Sequence, residues 1–140
     1  MPRLSRWFVR AALLHMTVGF IIGALLLVDK GLNLESGAWR TLPAHVEMLV
    51  LGWIVQLTMG VAFWILPRFP EGPKRGNVAA AWLAFVALNA GVLSVVAGTT
   101  LGPMPGYVLA GRSAEAIAAA AFVVHAWPRV KPFDVGNTGG

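Results

Sequence analysis

Three histidines, His15, His45 and His125, are the side chains in this chain best suited to hold a metal or carry a proton. Each falls in a long apolar stretch, where an imidazole needs a partner. There is no cysteine, which excludes disulfides, thiolate metal sites, iron–sulfur clusters and covalent haem attachment. Iron or copper would therefore have to be held by histidine, methionine or oxygen. Arg112 and Glu115, three residues apart in another apolar stretch, are spaced for an intrahelical ion pair that lowers the cost of carrying both charges in lipid. They read equally as a structural pair at a helix interface or as an arginine that meets a cofactor propionate.

His45 has the most informative surroundings. It opens the stretch from Arg40 to Arg68, RTLPAHVEMLVLGWIVQLTMGVAFWILPR, which is long and apolar enough to span a bilayer. At about 100° per residue, His45, Gly52, Gln56, Met59 and Phe63 share one side of that helix, and Glu47 points nearly the opposite way. One face thus carries a candidate ligand, hydrogen-bonding or polarisable groups, and a glycine that permits close approach.

The elements that must position these residues are membrane spans. Apolar residues make up 57% of the chain and charged ones only 12%, and mean hydropathy is +0.70. Such a composition lies outside that of soluble domains. The net charge of +5 comes from basic residues clustered at span ends, with no basic patch interleaved with aromatics, so nucleic acid is not an expected partner. Spans are expected at roughly 7–28, 42–66, 77–98 and 107–127, forming one all-α, four-helix transmembrane domain over 1–129, with a disordered tail over 130–140. In the first span Gly19 and Gly23 follow His15 at four-residue steps, a packing pattern, while His15 itself reads as a ligand or as a histidine bonded to a neighbouring helix. Ala80, Ala84, Ala87, Gly91, Ser94 and Gly98 form a small-residue stripe on the third span, where Asn89 needs a hydrogen-bond partner. His125, beside Trp127-Pro128-Arg129, suits an interfacial position.

Basic residues also set the orientation. Arg3, Arg6, Arg10, Arg68, Lys74, Arg75, Arg129 and Lys131 lie on the side of the termini, against Lys30 and Arg40 opposite. This puts both termini in the cytoplasm, with a prokaryotic inner membrane as the expected location. His45 is then about 5 Å below the outer surface, while His15 lies about 12 Å and His125 about 5 Å above the inner one. His45 and His125 cannot share one ion, and His45 with His15 is marginal. A partner for His45 at equal depth would come from a second copy of the chain, so a homo-oligomer, trimer or dimer, is expected.

A histidine early in a helix, followed by Gly52-Trp53, a polar Gln56, Gly60 and the aromatic-rich exit Phe63-Trp64-Ile65-Leu66-Pro67-Arg68, resembles the second helix of haem–copper oxidase subunit I. The cytochrome cbb3 and nitric oxide reductase branches are the most similar in flavour. In that family the corresponding histidine is an axial ligand of the low-spin haem, which implies His45 as the ligand of a haem b here. The family's twelve helices form three arcs of four, so a four-span chain resembles one arc. No His-Xaa-His helix or histidine pair for copper is present, so reduction of oxygen or nitric oxide is not implied.

The resulting expectation is a b-type haem protein for electron transfer, embedded in lipid and served by a redox partner protein. His45 is the metal ligand, with Gly52 and Gln56 beside the cofactor, Arg40 toward its propionates and His15 as a further candidate. Copper in place of haem is the alternative for the cofactor. For the function, the alternatives are a metal-ion or proton-handling oligomer built on His45 with Glu47, Gln56 or Met59, and a structural subunit of a respiratory complex.

Overall fold

Each apolar stretch forms one helix in the computed structural model, which describes residues 1–33, 37–69 and 74–130. Helix α1 is Arg3–Leu32, α2 is Ala38–Ile65, α3 is Val78–Thr100 and α4 is Pro105–Val130. No strand occurs among the described residues. All four helices are long and apolar enough to cross a bilayer. Leu14, Phe20, Leu25, Leu27 and Ile65 face outward, while Ser5, His15, Glu47, Gln56, Glu115 and His125 are buried. Apolar outside and polar inside is the pattern of a protein dissolved in lipid.

The helices end where local chemistry stops them. Asn33 turns left-handed after α1, and its N–H bonds to the Asp29 carbonyl. Leu66, which precedes Pro67, leaves α2 in an extended conformation. Asn77 starts α3 by accepting the Ala80 N–H on its side chain at 2.9 Å. Helix α1 exceeds the expected 7–28, and α4 the expected 107–127, because backbone hydrogen bonding continues through flanking polar residues after the apolar run has ended. The tail expected over 130–140 begins at the last residue of α4; residues 131–140 lie outside those described.

Helix α2 is not uniform. A 3-10 turn, Ala38–Thr41, leads into α-helix over Leu42–Glu47, π-helix over Met48–Val55 and α-helix again over Gln56–Ile65. Its buried face runs Ala44, Met48, Gly52, Gln56, Gly60 in strict four-residue steps. In a straight α-helix such a stripe drifts by about 40° per step. The wider π turns rotate it back, so the stripe stays on the bundle interior.

Glycines set the spacing. On the α1–α2 seam, Gly60 accommodates Phe8, Gly52 accommodates His15, Gly19 accommodates Leu49 and Gly23 accommodates His45; an added β-carbon at each would lie 2.5–2.7 Å from its visitor. Between α3 and α4, Gly91 and Gly111 bring backbones together: a β-carbon on either would meet the other's carbonyl oxygen at 2.8–2.9 Å. Lipid provides no hydrophobic drive between helices, so such close packing contributes the attraction instead. The small-residue stripe of α3 makes this contact, and Ser94 adds a 2.8 Å hydrogen bond to the Tyr107 carbonyl. Phe8, at the centre of the core, packs edge-on against Phe85 and Phe122.

Candidate functional site

His45 lies half-buried in the second turn after the 3-10 entry of α2, with its ring against Gly23 of α1. Its Nδ1 is 2.8 Å from the Gly19 carbonyl oxygen. A carbonyl only accepts, so Nδ1 carries the proton, and the Nε2 lone pair remains free. No hydrogen bond to Nε2 forms among the described residues. A hydrogen bond from one ring nitrogen to a carbonyl fixes the orientation and tautomer of an imidazole. The ring also forms part of the wall of a cavity of about 410 Å³, otherwise lined by Phe20, Leu26, Leu27, Trp39 and Leu49 among others. Arg40 is exposed at the same end of α2.

The remaining expected site residues form a separate layer, deeper in the bundle. The space that Gly52 leaves is taken by the ring of His15, and Gln56 adjoins that imidazole. On its other side Gln56 donates to Asn89 Oδ1 at 3.3 Å, and Asn89 donates to the Phe85 carbonyl at 2.7 Å. Thus His15, Gly52 and Gln56 come together with Asn89, one turn pair away from His45, about 10 Å along the helix. His15 Nδ1 and Gln56 Oε1 are buried and receive no partner among the described residues.

His125 is fully engaged elsewhere. Its Nδ1 donates to the Asn77 carbonyl at 2.8 Å, and its Nε2 accepts from Arg129 at 2.8 Å. The ring stacks on Phe63 with centroids 4.9 Å apart. Arg129, 2% exposed, spends its other donors on the Pro67 and Leu66 carbonyls at 3.0 and 2.6 Å. The pair closes the C-terminal end of α2, where helix carbonyls have no partners of their own.

A third constellation was only half visible in the sequence. Arg112 pairs with Glu115 at 2.8 Å, as the spacing allowed, but also with Glu47 of α2 at 2.7 Å. Glu47 is 3% and Glu115 9% exposed, whereas the Arg112 side chain is 51% exposed. Depth was the available signal: Glu47 lies about 14 Å along α2 from the same bundle end that places Arg112 about 10 Å and Glu115 about 15 Å along α4. Charges at one depth inside a bundle find each other. Among the described residues no three histidine or acidic side chains cluster as a ready-made metal site.

Comparison with known proteins gives no match: no family model, no curated protein and no solved structure matches this chain.

Proposed function

We propose that this chain is a membrane-embedded b-type haem protein that carries electrons, with His45 Nε2 as axial ligand. The observation that carries this reading is the Nδ1–Gly19 hydrogen bond, which fixes the imidazole in the tautomer a metal requires. The residues present fit the group: a free Nε2, an apolar wall of about 410 Å³ beside it, and Arg40 at the same end of α2 for a propionate. His15, Gly52 and Gln56 form the polar layer behind His45 and hold α1 against α2.

One chain offers one such imidazole, so two copies supply the pair at equal depth, in a dimer or as neighbours in a trimer. When bound between two histidines, haem supplies a one-electron couple with no open coordination position, which favours electron transfer over oxygen chemistry. The chain's own part is to hold the imidazole by Gly19, to exclude water with apolar side chains and to offer Arg40 to negative charge. We further propose that both termini face the cytoplasm, from the eight basic residues on that side.

The experiment is a visible spectrum of the full chain purified after expression with haem supplied. A Soret band with a reduced α-band supports the assignment; metal without a Soret band would indicate a metal-ion oligomer, and neither would indicate a structural subunit.

A further inference from the structure

Glu47 and Glu115 approach each other across the contact between α2 and α4. One guanidinium holds both, with Arg112 Nη2 on Glu47 Oε2 at 2.7 Å and Nη1 on Glu115 Oε2 at 2.8 Å. Sharing one guanidinium brings the two carboxyl groups close together. Two carboxylates against one guanidinium leave one uncompensated negative charge.

Among the described residues no further cation pairs with either carboxylate. Helix α3 has no ionisable residue from Val78 to Thr100, and α1 has only His15 between Arg10 and Asp29, seated at Gly52. On α2, His45 is turned to Gly19. On α4, Tyr107 lies about 12 Å before Glu115, and His125 and Arg129 are about 15 Å or more farther along. An unbalanced charge at this depth is strongly disfavoured.

A second observation is independent of the charge count. Glu47 Oε1 and Glu115 Oε1 are both buried, and no donor among the described residues reaches either one. Two ionised carboxylates would leave these oxygens without hydrogen bonds in a medium with no water to offer them. A proton on one makes it a donor to its neighbour and brings the net charge of the trio to zero.

We infer that Glu47 and Glu115 form an intramembrane proton-binding site that holds one proton between them, with Arg112 as its fixed cation. The half-exposed Arg112 side chain connects the site to the surface. It lines a cavity of about 560 Å³ at the α3–α4 turn, beside Pro103, Met104, Pro105 and Leu109. Protons reach the pair from that end of the bundle. The site does not depend on a cofactor at His45.

The test is pH-difference infrared spectroscopy of the full chain in detergent, reading the carbonyl band of protonated carboxyl groups. The wild type should show a band equal to one proton per chain. Glu47→Gln and Glu115→Gln should each abolish it, because the remaining carboxylate keeps Arg112 to itself and stays ionised. A chain carrying Glu35→Gln, Glu71→Gln and Asp134→Asn should retain it in full. If a glutamine variant loses its helicity, Glu47→Asp takes its place and should move the band while keeping its one-proton size. A band that survives both glutamine variants, or that Glu47→Asp leaves unmoved, overturns the site, as does a wild type without the band.

Discussion

Gly23 of α1 lies directly beneath the imidazole of His45: a β-carbon at position 23 would fall 2.5 Å from the ring's Cε1 and 2.9 Å from Nδ1. That separation is too short for a non-bonded contact of a β-carbon, so the histidine occupies this position only because residue 23 is glycine. Together with the Gly19 carbonyl, Gly23 fixes both where the ring lies and which nitrogen it presents.

Substitution Gly23→Ala should therefore act as a test of ligand position that leaves the ligand itself in place. The ring must shift by more than an ångström or the helices must part. Haem affinity should fall at least tenfold, measured by titration of apoprotein, while Gly31→Ala, with open space around it, should leave affinity unchanged.

The Gly91–Gly111 contact yields a stability prediction. Gly91→Ala places a methyl group 2.9 Å from the Gly111 carbonyl oxygen, between two backbones that cannot swing aside. Overpacking of this kind costs about 1–3 kcal/mol. Unfolding in a denaturing detergent should begin at a correspondingly lower detergent fraction, with an unchanged haem spectrum in the folded protein.

Arg129 offers a third case. Arg129→Ala removes the donor to the Leu66 and Pro67 carbonyls and the partner of His125 Nε2. Buried acceptors left without a donor cost about 1–3 kcal/mol each. The variant should be destabilised more than Arg129→Lys, which restores part of the charge at the end of α2. Since this end of the bundle is far from His45, neither should alter the absorption bands.

Orientation can be read directly, since the chain has no cysteine of its own. A single Lys74→Cys substitution should be labelled by a membrane-impermeant reagent only after the cells are opened. Labelling in intact cells would reverse the proposed topology.

The spans were legible because lipid demands long apolar runs, and the packing of α1, α2 and α3 was legible in Gly19, Gly23, Gly91 and their spacing. The interior of α2 was not. A wheel drawn at one fixed angle put His45, Gly52 and Gln56 on a common face, and all three do face α1, the π turns over Met48–Val55 keeping the buried stripe inward. They meet different partners because about 10 Å of helix rise separates His45 from Gly52: His45 meets Gly23, while Gly52 and Gln56 meet His15. The same wheel turned Glu47 away from His45, and in the structure it faces α4, where Arg112 holds it together with Glu115. Periodicity finds a buried face; it does not reveal a change of helical pitch within it.

The reduced-minus-oxidised spectrum of His45→Ala, set beside those of His15→Ala and His125→Ala, tests the central claim most directly. All four chains, the wild type included, are purified after expression with haem supplied, and their oligomeric mass is checked. The account predicts that only His45→Ala loses the low-spin bands while remaining the same oligomer. Retention of those bands in His45→Ala, or their absence from the wild type, would contradict it.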